Sequence, residues 1–343
     1  MSREPRAACA GRRAAAESGR GESGRSHAPA KRAKRRPVKT TVRQGVAPLT
    51  PLPYLLFMAT NILLGTHVSV AGGMNTAFER GERIGCTTMQ VFVKNSNQWE
   101  GKPLTPSDTE NYKTAAAKST IRPVFAHAAY LINLCAVSPA VYKNSRRAFE
   151  DELARCEALG IKGLILHPGS HMGEGEDAGI RRIAESLNFV HKRTAGFRTL
   201  TVLETTAGQG TAVGYRFEHL RDILGQVEEQ HRMAVCVDTA HLYAAGYDIT
   251  TQPGWENTTN DLEHLIGIAR VAAVHVNDSK KPLGSRVDRH EHIGKGLIGL
   301  TAFRQLMNDP RLADVPKILE TEKSEDMHED VDNMNTLRSL VHE

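Results

Sequence analysis

From residue 62 to residue 319 the chain repeats one pattern eight times: a short apolar, often β-branched run followed by a longer amphipathic stretch. The runs lie at 62–66, 89–93, 124–126, 163–166, 201–203, 234–237, 272–274 and 317–319. Short continuous apolar runs are strands buried on both faces, and parallel strands need crossovers of a dozen or more residues, usually helices. Helical spacing marks such crossovers at 74–84, 140–159, 178–192, 217–229 and 301–307, with Gly85 and Gly160 where helix C-caps fall. Eight such units predict an α/β fold of the (β/α)8 TIM-barrel type in a single domain spanning residues 58–343. No solenoid repeat and no second domain are visible.

Six successive runs are each followed directly by a residue that can hold a metal: His127, His167, Glu204, Asp238, His275 and Glu320. In a TIM barrel the carboxyl-terminal strand ends form one rim, so residues far apart in sequence converge there. One histidine at such a place is ordinary. Six in a row are not, because a buried charge is costly unless it is paired or metal-bound. Two clusters add to the set: His241 stands three residues after Asp238, and Asp288 and His290 flank Arg289. Alone, the second cluster reads as a solvated loop. Five histidines and four carboxylates suit zinc or manganese and are too rich in nitrogen for calcium or a purely magnesium site. These residues indicate a metal-dependent hydrolase and leave its substrate open.

Charge divides along the chain. Residues 1–57 carry 13 Lys or Arg against three Glu, which leaves 31 basic and 36 acidic residues to the remainder. An acidic body that handles a polyanion needs local positive charge, and bound divalent ions supply it. The first 57 residues are rich in Arg, Ala, Gly, Ser and Pro, and include Lys31-Arg32-Ala33-Lys34-Arg35-Arg36. They read as a disordered basic tail, with a nuclear address or nucleic-acid arm as the functional alternative, or as sequence upstream of a start at Met58. The apolar run at 51–58 is too short and too far from the start for a secretory signal, and three Glu count against a transit peptide. No run of about 18 apolar residues suggests a membrane span. Five scattered cysteines without a CxxC pair point to a reducing compartment.

The stretch Val274-His275-Val276-Asn277-Asp278-Ser279-Lys280, followed by Gly284-Ser285 and Asp288-Arg289-His290, closely resembles a signature of endonuclease IV, the second family of apurinic/apyrimidinic endonucleases. Val235-Cys236-Val237-Asp238-Thr239-Ala240-His241 looks like another. The segments from Leu203 to Gly210, His167 to His171, Tyr130 to Leu134 and Gly65 to Ser69 are also similar, so the resemblance runs from about residue 62 to residue 321. It implies a TIM barrel holding three zinc ions, or zinc with some manganese. His127, His167 and Glu204 would hold one ion, Glu204, Asp238, His275 and Glu320 a second, and His241, Asp288 and His290 the third. Glu204 would then be catalytic as the bridge between the metals that activate water. The implied substrates are duplex DNA with abasic sites or blocked 3′ ends, cut to leave a 3′-hydroxyl and a 5′-deoxyribose phosphate. A monomer is implied as well, in the cytoplasm if the chain is of bacterial type, or in the nucleus or mitochondrion if the tail is genuine.

In this family a loop Arg and a Tyr-Leu pair wedge into the duplex. Tyr130 and Leu131 match the pair, whereas Asn97 stands in the place of the Arg, which predicts weaker DNA binding or altered wedge geometry with the chemistry intact. Ala128-Ala129 stand where more polar residues are common, which predicts weaker support for His127. Two rivals explain less. A xylose isomerase-like sugar isomerase or epimerase would use Glu204, Asp238, His275 and Glu320 and give no reason for the other five. A non-catalytic DNA-binding protein working through its basic tail would explain none of the nine.

Overall fold

The computed structural model describes residues 62–341, so the readings of residues 1–57 as a tail and of Met58 as a start lie outside the described residues. Eight strands alternate with helices: β1 (Leu64–Thr66), β2 (Met89–Val91), β3 (Val124–His127), β4 (Gly163–Leu166), β5 (Leu200–Glu204), β6 (Met233–Asp238), β7 (Val271–His275) and β8 (Lys317–Leu319). Around them run α1 (Thr76–Arg83), α2 (Pro106–Lys118), α3 (Pro139–Leu159), α4 (Glu176–Arg193), α5 (Phe217–Leu224), α6 (Thr239–Ala245), α7 (Gln252–Leu265), α8 (Leu300–Asn308) and α9 (His328–Ser339). The strand order is β1-β8-β7-β6-β5-β4-β3-β2, every pair parallel. A single bridge between His67 and Gln90 brings β1 back to β2, so the sheet is a nearly closed TIM barrel. Gly65 allows this seam, since a Cβ there would lie 1.8 Å from the Thr88 carbonyl oxygen.

Strand side chains alternate between two cores. Met89, Val91, Val124, Leu164, Leu203 and Val235 face outward, into the core shared with the helices. Phe125, Ile165, Val202, Cys236, Ala273 and Ile318 face inward and form a separate apolar plug. Full burial of each large apolar side chain contributes roughly 1.5–3 kcal/mol. All eight predicted strands are present, and Gly160 caps α3 in the left-handed conformation, at φ 76°.

The helices differ more from expectation. α5 ends at Leu224 and does not continue to residue 229. Gly225 is a poor helix residue, and the Gln230 amide caps the freed carbonyls of Val227, at 2.7 Å, and Leu224. Helices α2, α6, α7 and α9 lie outside the predicted set. α2 buries only Tyr112 and so lacks an apolar stripe. Its start is fixed locally: Thr105 Oγ1 accepts from Asp108 N–H at 3.1 Å, Asp108 Oδ2 accepts from Thr105 N–H at 3.0 Å, and Pro106 follows. No helix among the described residues is long and apolar enough to cross a membrane.

His191 on α4 is buried against Thr201 Oγ1 at 2.9 Å. Burial, and then the charge of Arg232, push its imidazole down from 6.5 to about 3. The unfolded chain therefore binds a proton that the fold refuses. The resulting stability is complete above about pH 6.5 and is lost as pH falls toward 3, at up to about 1.4 kcal/mol per pH unit. Urea midpoints measured from pH 7 to pH 4 are expected to fall less steeply for His191→Leu than for the wild type. Equal slopes would contradict this account of His191.

Candidate metal centre

The alternation that makes the apolar plug also builds the layer above it. His127, His167, Glu204, Asp238, His275 and Glu320 each follow an inward plug residue by two positions, and so point into the barrel at its carboxyl-terminal end. His127, Glu204, Asp238 and His275 are the last residues of their strands, while His167 and Glu320 stand one beyond. Glu204 Oε2 lies 3.1 Å from His127 Nε2 and 3.4 Å from His167 Nε2, and its Oε1 lies 2.9 Å from His275 Nδ1. Glu320 Oε2 is 3.1 Å from the same His275 nitrogen.

Asp238 explains its own spacing to His241. Its Oδ1 caps α6 by accepting from His241 N–H at 2.7 Å, so the first helical turn carries the imidazole back over the rim. His241 Nε2 lies 3.1 Å from Asp288 Oδ2, and His290 Nε2 lies 3.3 Å from Asp288 Oδ1 and 3.7 Å from Asp238 Oδ2. Three groups result: His127, His167 and Glu204; Glu204, Asp238, His275 and Glu320; and Asp238, His241 and His290. Within each, the ligand-type atoms lie within 4.8 Å of one another. All nine residues singled out in the sequence are thus brought together, with Asp238 joining the third group beside Asp288.

The outer ring nitrogens decide what the inner ones can do. His127 Nδ1 faces the Ala128 carbonyl at 2.8 Å, His241 Nδ1 the Thr205 carbonyl at 2.8 Å and His290 Nδ1 the Glu320 carbonyl at 3.3 Å. His275 Nε2 faces Gln90 Oε1 at 2.8 Å. A carbonyl oxygen only accepts, so each of these nitrogens carries its hydrogen, and in the neutral ring the other nitrogen aims a lone pair at the carboxylates. Lone pair and carboxylate repel unless a proton or a metal cation stands between them. His127 finds an acceptor in the main chain of Ala128, which does not depend on the side chain at that position.

Charge in the protein alone is balanced by protons. Burial opposes ionisation of Glu204, yet His275, His167 and His127 hold it well below the ordinary carboxylate range. Burial likewise opposes a charge on His241 and His275, but the surrounding acids hold both well above the usual imidazole value. His290 is raised to about 9, against burial, by Asp238 and Asp288. Protons do this poorly for two rings: Nε2 of His241 and of His290 is buried and has no aligned hydrogen-bond acceptor, despite the nearby carboxylates. A cation placed where those lone pairs converge would satisfy both rings, and a mixed imidazole and carboxylate set is one that holds divalent metal ions. The residues fit a multinuclear metal site.

The family model for the xylose isomerase-like TIM barrel, AP endonuclease family 2, matches residues 78–340. A protein named probable endonuclease 4 in Chloroflexus aurantiacus is 49% identical over 277 residues, which cover 81% of this chain and 97% of that one. The chain belongs to the endonuclease IV family. Another probable endonuclease 4, from Geobacter sulfurreducens, is 47% identical over 281 residues, covering 82% of this chain and 95% of the relative. The crystal structure of endonuclease IV from Thermus thermophilus matches with a TM-score of 0.72 and 34% identity, over 81% of this chain and 98% of that one. Membership makes the chain a metal-dependent enzyme of the AP endonuclease type.

Above the layer, this endonuclease IV relative opens a cavity of about 680 Å³, lined among others by His67, Phe92, Lys94, His127, Tyr130 and Lys323. Tyr130 is 65% exposed, with its ring 5.6 Å from Phe92 and 5.7 Å from His127, and Leu131 beside it is 36% exposed. Asn97 is exposed on the loop after β2, its N–H bonded to Asn95 Oδ1 at 2.9 Å, and Asn95 and Ser96 of that loop line the cavity. A buried ion pair that the sequence did not disclose ties these loops together. Lys94 Nζ lies 2.9 Å from Glu152 Oε1 and donates to the Gln98 carbonyl at 2.6 Å, while Glu152 Oε2 accepts from Ala129 N–H at 3.1 Å.

Three further polar residues also went unassigned in the sequence. Asn277 donates to Asp238 Oδ2 at 2.6 Å and accepts from Glu320 N–H at 2.8 Å. Asp278 gathers the N–H groups of Gly294, Gly296 and Ile298 at 2.9–3.1 Å, just beyond the segment that carries Asp288 and His290. Gln90 interrupts the apolar run of β2, a signal that could have found it.

Proposed function

We propose that this chain is a DNA-repair endonuclease that hydrolyses the phosphodiester 5′ to abasic sites in duplex DNA. The products are a 3′-hydroxyl and a 5′-deoxyribose phosphate, and blocked 3′ ends are cleared by the same site. The observation that supports this most strongly is the single layer of nine metal-competent side chains whose inner ring nitrogens and carboxylates converge. The residues fit three zinc ions, with manganese able to take part: His127, His167 and Glu204 for one, Glu204, Asp238, His275 and Glu320 for the next, and His241, Asp288 and His290 for the last. When bound, such ions lower the pKa of water to supply hydroxide near neutral pH and offset the charge of the phosphate.

The chain's own groups do the rest. Glu204, without solvent exposure, turns one oxygen toward His127 and His167 and the other toward His275, so one carboxylate serves two groups at once. Tyr130 and Leu131 present an apolar surface beside the cavity, suited to fill the stack when the abasic nucleotide turns out of the helix. That turn costs less where no base pair must be broken. Asn97 extends the same rim without adding charge. A sugar isomerase would leave His127, His167, His241, Asp288 and His290 without a task.

The direct test is a duplex with one abasic site and end-group analysis of the cut strand. A 3′ end that a polymerase extends without further treatment is expected, whereas a sugar fragment left on the 3′ end would contradict hydrolysis on the 5′ side. Tyr130→Ala is expected to raise KM about tenfold, from the roughly 1–3 kcal/mol that stacking on an aromatic ring contributes, and Leu131→Ala, which removes only aliphatic contact, to raise it by less. Metal content and kcat should stay near the wild-type values, because neither side chain belongs to the metal-competent groups. Unchanged KM in both would remove these residues from the DNA surface.

A further inference from the structure

Gln90 sits in the middle of β2 with no solvent exposure, an amide in an otherwise apolar strand. An unpartnered amide there would cost roughly 1–3 kcal/mol. Gln90 has three partners, all at the metal centre or beside it. Its Nε2 lies 2.5 Å from Glu320 Oε1 and 3.0 Å from His67 Nδ1, and its Oε1 lies 2.8 Å from His275 Nε2.

Chemistry orients this amide. The Glu320 carboxylate only accepts, so the NH2 end faces it and the carbonyl end is left for His275. His275 therefore donates from Nε2 and keeps Nδ1 as its lone-pair nitrogen, 2.9 Å from Glu204 Oε1 and 3.1 Å from Glu320 Oε2. His127, His241 and His290 are arranged the other way round, with Nδ1 on a main-chain carbonyl and Nε2 inward. The Gln90 main-chain carbonyl accepts from Val68 N–H at 2.8 Å in the seam, while its side-chain Oε1 faces His275. A side chain supplies the acceptor instead. The same residue forms the bridge that joins β1 to β2, so the amide spans from the barrel seam to β7 and β8.

We propose that Gln90 is a positioning residue for the metal centre, whose carboxamide fixes His275 in the tautomer that presents Nδ1 to Glu204 and Glu320 while restraining Glu320 itself. This rests on the metal-centre reading above. Partners that orient metal-ligating histidines change metal affinity by about 10–100-fold when removed.

The test compares the wild type with Gln90→Met, which keeps length and shape but loses the hydrogen bonds, and Gln90→Glu, which keeps an acceptor for His275 but sets a carboxylate against Glu320. Each protein is loaded with zinc, dialysed against rising chelator and assayed for ions per chain, and its cobalt-substituted form is examined by visible absorption. Both variants are expected to release one of three ions at about 10–100-fold lower chelator than the wild type, with an altered cobalt spectrum and unchanged circular dichroism. Release at wild-type chelator concentrations with an unchanged cobalt spectrum, in either folded variant, overturns the positioning role. If neither variant folds, Gln90 serves the barrel seam and the role is overturned as well. A wild type that binds no ions would instead contradict the metal-centre reading.

Discussion

Glu204→Ala is expected to leave the chain with one tightly held zinc ion, against the three expected in the wild type, and to lower abasic-site incision by about 10³-fold or more. That factor corresponds to about 4 kcal/mol of barrier, within the several kcal/mol that metal stabilisation of a phosphoryl transition state supplies. The reasoning is geometric. Both Glu204 oxygens are engaged, one 3.1 Å from His127 Nε2 and the other 2.9 Å from His275 Nδ1, so one substitution weakens two groups together. His241, Asp288 and His290 keep their mutual contacts of 3.1 and 3.3 Å and should keep their ion. Metal analysis and incision rates on one preparation check both halves of the expectation. Three ions with near wild-type activity would show that Glu204 bridges nothing.

Lys94→Met is expected to cost about 3–5 kcal/mol, because it leaves the Glu152 carboxylate buried without its counter-charge. Burial already pushes Glu152 up from the ordinary carboxylate value, against the pull of Lys94 and the Ala129 N–H. Without Lys94 the carboxyl takes up a proton as pH falls, so the loss should shrink under acid conditions. The double variant Lys94→Met/Glu152→Leu buries no unpaired charge and should recover much of the stability. It also unties the Asn97 loop from the segment that carries Tyr130, so its KM for abasic DNA should rise while its zinc content stays at the wild-type value. Urea unfolding of Lys94→Met and of the double variant separates these effects. Equal losses in single and double variants would contradict the ion-pair argument.

The sequence carried the barrel and its ligand layer for one reason. A strand buried on both faces places plug and ligand two residues apart, as in Phe125 and His127 or Val202 and Glu204, and that spacing is visible in the letters. What it could not carry were partners supplied by the main chain. The acceptor that faces His127 Nδ1 is the Ala128 carbonyl, a group every residue type supplies, so the letter at 128 does not reveal it. Lys94 and Glu152 are 58 positions apart, and only the fold pairs them. α2 buries one side chain and α5 stops at Gly225, so neither boundary follows from apolar spacing; caps and a glutamine amide set them.

The measurement that bears most directly on the central claim is incision of a duplex with a single abasic site, with zinc per chain counted as a strong chelator strips the protein and zinc is restored. About three ions are expected, with incision 5′ to the lesion lost as they leave and regained as they return. Incision that persists after the metal is gone would contradict the account, as would a protein that carries its ions and isomerises a sugar phosphate but leaves the abasic strand whole.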